Sequence, residues 1–342
     1  MARSLFSKID EYGFERPDDF DYKTYEDFMS TYLGVLARRA RKWAALIGDK
    51  RTIKRCLTVK RYVRKGIPSE HRGHVWMTVS GAEILKQSQP DLYNDRLHGK
   101  VDEEIIASIR VDLPRTFPDN INYRKTAELV SAGCTQLQSS QPQLLYNILV
   151  AYAHDNEDVG YCQGLNYIAG LLLMATGSEE SSFWLLKILV DRILPGYYNR
   201  SMSGIVRDIN VLAELVKIKI PEVHQHVTNL GLPWAVITTK WFVCLFAEVL
   251  PVETVLRIWD CLFYEGAKII FRVALTLIAR NAEALLNCDD FTSLATCFKD
   301  ITHDALVTNC HDFMQSIFKV PGSLPNSTIR KLREQFDKTE VS

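Results

Sequence analysis

At 342 residues the chain exceeds the roughly 250 to 300 at which a single hydrophobic core stops growing, so one large bilobed unit or two subdomains are expected. Its 47% apolar and 24% charged content suits a globular protein with a sizeable core, and 41 Lys and Arg against 41 Asp and Glu leave no global field to recruit nucleic acid. Gly (17) and Pro (12) both fall below the usual shares of about 7% and 5%, which argues against a turn-rich all-β protein and for helix.

Residues 1–63 read as a helical arm whose two halves differ in sign. The stretch IDEYGFERPDDFDYKTYEDF is acid-rich, whereas from Arg38 to Lys65 twelve Lys or Arg meet one acid, Asp49. Two readings stay open here: a solvated helical arm, or a basic patch that touches a membrane surface or an acidic partner. Nucleic acid is the weaker candidate, because aromatic residues interleave sparsely with the patch and no nucleic-acid motif accompanies it. MARSLFSKIDEYG lacks the apolar run of a signal peptide. Apolar runs such as LNYIAGLLLMA stop short of the ~18 residues a membrane span needs, so no transmembrane segment and a cytoplasmic location are expected.

Next comes RKGIPSEHRGHVWMTVSGAE. Gly66-Ile67-Pro68 ends the arm, and Ser69 is placed to cap a helix that carries Arg72 and Trp76 four residues apart on one face. An arginine lying along an indole would fix the first helix of a domain, a structural role rather than a chemical one. Val101, Ile105, Ile106 and Ile109 then repeat at helical spacing, with Asp102, Glu103 and Glu104 suited to the positive end of that helix.

Directly after it stands SIRVDLPRTFPDN. Arg115 follows Pro114 and precedes Thr116-Phe117-Pro118, so a long cationic side chain sits on a stiffened loop. From the residues alone, Arg115 is either held out for a partner or half of a buried ion pair with Asp112. Leu144, Leu145, Ile148, Leu149 and Tyr152 mark the next helix. It ends at NEDVGYCQGLNYIAG, where Gly160 and Gly164 bracket Tyr161-Cys162-Gln163 and an apolar helix follows. Gln163 stands at the mouth of that helix, where its amide could tie up free backbone N–H groups.

Ile209, Leu212, Ala213 and Val216 give a further helix, and breaks at Pro195-Gly196, Pro221, Gly231 to Pro233 and Pro251 separate elements of ordinary length. No period-two alternation is sustained and no fixed repeat occurs, so the expected fold is all-α and irregular. The eight cysteines (Cys56, Cys134, Cys162, Cys244, Cys261, Cys288, Cys297, Cys310) never pair as CxxC. His71-x-x-His74 and His224-x-His226 lack cysteine partners in register. No zinc site is expected, and the cysteines read as small buried hydrophobes of a reducing compartment. No Ser-His-Asp or Cys-His group sits in a motif setting, and there is no phosphate-cradling GxxxxGK[ST].

Together these stretches resemble the TBC domain, the catalytic domain of GTPase-activating proteins for Rab-family GTPases. Arg64 to Pro68 with Arg72 and Trp76 resembles its first signature, Ile109, Asp112 and Arg115 its IxxDxxR arrangement, and Tyr161, Gln163 and Gly164 its YxQG arrangement. Lys240 to Gly266, with Arg257-Ile258-Trp259-Asp260, resembles its third block. One departure is Leu165, where methionine is commoner; the swap conserves volume.

The resemblance implies an all-helical TBC domain core over 64–266, completed by helices over 267–335, between the arm and a polar tail at 336–342. It implies that Arg115 is an arginine finger and Gln163 a glutamine finger, supplied in trans to a GTP-loaded Rab that binds the GTP and magnesium itself. The chain would need no cofactor of its own and act as a monomer in vesicle trafficking. Asp112, Tyr161 and Gly164 would support the fingers or touch the Rab; Arg72, Trp76, Trp259 and Asp260 would be scaffold. A Rab-binding adaptor with this fold and weak catalysis is the alternative. A dead copy would be expected to have lost Arg115 or Gln163, and this chain has both.

Overall fold

The computed structural model describes residues 7–48, 53–124 and 140–339; Asp49, Lys50 and Arg51 of the basic run, Cys134 and residues 340–342 lie outside them. Among the described residues every named element is a helix, and strand character is confined to two isolated bridges, Ile9 with Glu15 and Phe14 with Asn120. The all-α expectation holds. The low glycine and proline content suits this: some breaks, such as Gly81 and Ile220, are single residues between helices, and Pro221 opens one at its first position, where a missing N–H costs nothing. The chain divides into two compact units, Met1–Ile188 and Leu189–Ser342.

In the first unit, the described residues before Asp21, from 7 on, form a bridged turn instead of the helix expected throughout the arm. The carboxylate of Asp10 collects the amides of Tyr12 (2.9 Å) and Phe14 (2.8 Å), an alternative to helical bonding that short acidic side chains favour. Helix α1 (Tyr22–Ile47) starts when Asp21 accepts the Thr24 amide, and buries only a thin stripe of Tyr32, Arg39 and Trp43. Helix α2 (Leu57–Lys65) packs on it through Trp43, whose Nε1 donates to the Gly66 carbonyl at 2.9 Å. Cys56 is exposed, not buried as expected, because its sulfur caps α2 at the Val59 amide.

Helix α3 (Ser69–Ser80) carries Arg72 and Trp76. Its capping position is Pro68, not a Ser69 side chain: the proline ring presets an extended cap residue whose carbonyl takes the His71 amide at 3.0 Å. Short α4 (Ala82–Ser88) and α5 (Leu92–Leu97) lead to α6 (Glu103–Asp112). The core of the unit is α7 (Gln141–Asp155), α8 (Leu165–Thr176) and α9 (Glu179–Ile188), packed on one another and on α3. Phe183, Trp184, Leu145, Ile148 and Leu172 are fully buried there.

The second unit centres on α10 (Ser203–Lys219), against which α11 (Pro221–Asn229) and α12 (Trp234–Val243) pack. Next come α13 (Val252–Glu265) and α14 (Lys268–Arg280), then short α15 (Ala282–Leu286) and α16 (Phe291–Asp300). The closing elements are α17 (Ala305–Thr308), α18 (Cys310–Lys319) and α19 (Asn326–Thr339). Leu245 and Phe246, between α12 and α13, both have positive φ (48° and 66°), a conformation that costs side-chain-bearing residues energy. The indole of Trp259 holds this corner by donating to the Leu245 carbonyl at 3.0 Å.

Asp208 of α10 is wholly buried and accepts from Tyr197 at 2.5 Å and from Arg333 of α19 through both carboxylate oxygens. Burial first, then Asp208, pushes the Tyr197 phenol well up, so it stays a donor. Removing one member of such a pair leaves a buried charge without its partner. Asp208→Ala is therefore expected to cost about 3 kcal/mol or more, read as a lower urea midpoint, with earlier proteolysis within α19. An unchanged midpoint would show that the cluster holds nothing.

Candidate functional site

Two turns of the first unit meet, and each ends in an exposed polar side chain. The first begins with α6, which starts when Asp102 accepts the Glu104 amide at 2.9 Å and buries Ile109 and Asp112. The chain then tightens into a single 3-10 turn, Leu113–Arg115, entered at Pro114, which has no N–H to leave unpaired. Leu113 is buried at its base, and the side chain of Arg115 is 66% exposed. Two residues on, Phe117 adopts φ +50°, a strained conformation for a bulky residue worth about 1–3 kcal/mol. Edge-to-face contacts with Phe14, Tyr123 and Tyr167, at 5.3, 5.6 and 5.5 Å, over-determine that position.

The second turn follows α7. Asn156 receives the Gly160 amide on its carbonyl (2.8 Å) and the Val159 amide on its side chain (3.2 Å). Gly160 has φ +55°, a left-handed conformation that favours glycine, and a Cβ there would also lie 2.9 Å from Ile105 Cδ1. Gly164 caps α8 at φ +107°, a conformation that side chains rarely adopt. The side chain of Asn166, not Gln163, takes the Gly164 amide (3.0 Å). Gln163 is exposed beside that cap.

Three links tie the turns together. Tyr161 donates its hydroxyl to Asp112 Oδ2 at 2.7 Å. Asn166 Nδ2 donates to Thr116 Oγ1 at 2.9 Å, and Thr116 in turn donates to the Asp112 carbonyl at 2.8 Å. Tyr167 donates to the Arg115 carbonyl at 3.0 Å. Asp112 is 6% exposed, and its second oxygen lies 3.9 Å from Arg115 Nη1, an electrostatic contact beyond hydrogen-bond reach. The ion pair is thus lopsided, a buried carboxylate under a mostly solvated guanidinium. Asp112 orders the loop through Tyr161 more than it holds Arg115.

Burial first, then the hydrogen bond to Asp112, pushes the Tyr161 phenol upward, so it remains protonated as the donor at neutral pH. Burial and Asp112 also push the Cys162 thiol up, away from the thiolate a nucleophile needs. The platform therefore presents donors, an always-charged planar guanidinium and a neutral amide, suited to an anion with oxygens in several directions. Asp112, Arg115, Tyr161, Gln163 and Gly164 are brought together. Arg72 and Trp76 are buried in α3, with Arg72 donating to the Tyr12 hydroxyl at 3.1 Å. Trp259 and Asp260 are fully buried in the second unit.

Sequence reading missed Thr116, Asn166 and Tyr167. Asn166 carried a signal, since a lone asparagine next to Leu165 in an otherwise apolar run must find partners when buried.

Comparison with known proteins places residues 69–286 in the Rab-GTPase-TBC domain family. The chain is 51% identical over 333 residues to Growth hormone-regulated TBC protein 1-A of Danio rerio, covering 97% of this chain and 91% of that protein. It is likewise 51% identical over 332 residues to Growth hormone-regulated TBC protein 1 of Homo sapiens, with 97% and 96% covered. The crystal structure of the Chlamydomonas flagellar RabGAP TBC domain superposes with a TM-score of 0.76 at 30% identity, covering 91% of this chain and 99% of that one.

The geometry separates exposed groups from those that position them. Arg115→Ala and Gln163→Ala are each expected to change unfolding stability by no more than about 0.5 kcal/mol. Asn166→Ala, which strips buried partners from Thr116 and Gly164, should cost about 1–3 kcal/mol. Urea denaturation followed by circular dichroism measures all three. A loss in Arg115→Ala as large as that in Asn166→Ala would restore the buried ion-pair reading.

Proposed function

Because the chain belongs to the Rab-GTPase-TBC domain family, we propose that it accelerates GTP hydrolysis on a Rab-family GTPase, with Arg115 and Gln163 as fingers supplied in trans. The observation that carries this reading is the pairing of two solvent-facing side chains of complementary chemistry on turns locked by Tyr161–Asp112 and Asn166–Thr116. Arg115 is mostly exposed, and Asn166, not Gln163, supplies the cap at Gly164. Both fingers are present, which favours an active protein over a weakly catalytic adaptor.

Water attacks the γ-phosphorus, the bond to the β-γ bridging oxygen breaks, and GDP leaves while charge spreads over the γ and bridging oxygens. Arg115 meets that charge. Its flat, permanently protonated fork donates to two oxygens at once, and the 3-10 turn limits the entropy lost in presenting it. Gln163 accepts a hydrogen from the attacking water with its amide oxygen and orients it, in place of the Rab's own switch glutamine. GTP and magnesium are the partner's, and this chain supplies only side chains. Such a role places the protein in the cytoplasm, acting on vesicle trafficking.

Single-turnover phosphate release from a panel of GTP-loaded Rabs tests the proposal. Arg115→Ala and Arg115→Lys should lower stimulated hydrolysis on the responsive Rab by about 10³-fold or more, since an arginine finger is worth about 10³ to 10⁵. A Rab whose switch glutamine is changed to leucine should still respond to the wild-type protein, while Gln163→Ala should cripple stimulation of even the unmodified Rab. Losses from Arg115→Ala and Gln163→Ala should be strongly non-additive, because both act on one transition state. Full stimulation by Gln163→Ala would remove the second finger from the mechanism.

A further inference from the structure

Apart from buried Arg39, most of the cations on and just before α1 and α2 lie on surfaces that the fold leaves open. On α2, Val59 and Val63 face inward, and Leu57, Arg61 and Lys65, spaced four apart, form the opposite face. All three are exposed, Leu57 to 80%, as are Thr58 and, just before the helix, Lys54. No Asp or Glu occurs between Ile53 and Ser69. Lys54, Arg61 and Lys65 make no salt bridge among the described residues.

Helix α1 packs on α2 through the Trp43–Tyr62 ring pair, with centroids 5.9 Å apart, and adds exposed Arg38, Arg41 and Lys42 at i, i+3 and i+4. A solvated face normally mixes signs, and the acidic half of the arm shows that this chain has acids to spend; here they are missing. Among the described residues no other large hydrophobic side chain is as exposed as Leu57, and it stands on this cationic face.

We propose that the outward face of α2, with the exposed cations of α1, docks on an anionic lipid bilayer. The cations gather negatively charged headgroups, and Leu57 enters the interface between headgroups and acyl chains. An acidic protein would satisfy the charges, but it would bring paired apolar surface to more than one isolated leucine. A bilayer accepts a single leucine anywhere on its surface. The inference stands on helices α1 and α2 and is independent of the catalytic reading.

Cosedimentation of the full chain with vesicles decides it. The chain is expected to pellet with phosphatidylcholine–phosphatidylserine vesicles, not with phosphatidylcholine alone, and to be released by high salt. Each cation removed should weaken binding roughly fivefold, so Arg61→Glu with Lys65→Glu should weaken it at least roughly 25-fold. Leu57→Ser, at unchanged charge, should weaken it roughly tenfold. Unchanged melting temperatures show that the variants fold, and unchanged phosphate release from a soluble GTP-loaded Rab shows that the platform is intact. Equal pelleting with both vesicle types, or binding indifferent to all three substitutions, would overturn the proposal. Retention on an acidic peptide column without vesicle binding would overturn it in favour of an acidic protein partner.

Discussion

The hydrogen bond from the Tyr161 hydroxyl to the buried carboxylate of Asp112 joins two turns 49 residues apart in the chain, and the candidate site depends on it. A carboxylate this far out of water needs donors, and among the described residues one of its oxygens has a close one from another turn, Tyr161. The second oxygen faces Arg115 at a distance that attracts without binding. The result is a cation oriented by a field yet still free to leave it, which a tight bidentate pair would prevent. Thr116 and Asn166 repeat the connection one layer away and bring in the cap of α8, so the loop under Arg115 and the loop under Gln163 are tied at more than one point.

Strain enters the same arrangement at Phe117. Its left-handed backbone redirects the chain immediately after Thr116, and three aromatic neighbours hold it there. Tyr167 contributes twice, its ring against Phe117 and its hydroxyl on the Arg115 carbonyl. Gly170 completes the fit, since a Cβ there would come 3.0 Å from the Phe117 ring. Elsewhere tryptophan does comparable work. Trp43 fixes the Gly66 carbonyl where the arm enters the domain, and Trp259 fixes the Leu245 carbonyl in a corner of two positive-φ residues. In each case a large apolar body fills the core while its one donor meets a backbone group that helix geometry leaves open.

The arm follows a different logic from the domain it precedes. Its helices are anchored by few buried residues, chiefly Trp43, Val59 and Val63, and the rest of their surface stays in contact with solvent. A face so weakly used for folding is available for another surface. Its charge and the exposure of Leu57 set what that surface can be.

Helical class, helix positions and the breaks between them were legible in the sequence because they rest on local causes. Apolar spacing, proline's missing N–H and acid at helix starts act within a few residues, and α6, α7 and α10 appear where Ile109, Leu145 and Leu212 called for them. The candidate residues Asp112, Arg115, Tyr161, Gln163 and Gly164 were named through their resemblance to a motif set, and the structure brings them together. Composition could not have singled them out. What only the tertiary structure decided was which polar residues are buried and bonded and which stay exposed. Arg115 and Gln163 had bland alternatives, an ion pair and a helix cap. Both were filled otherwise, the cap by Asn166 and the carboxylate by Tyr161. The choice depends on which donor reaches a buried acceptor first across 49 residues of chain. Sequence spacing carries no record of that distance, and the same physics hid Thr116, whose partner Asn166 lies 50 residues away; the turn at Asp10 and the cap at Cys56 rest instead on local side-chain bonds that compete with helix.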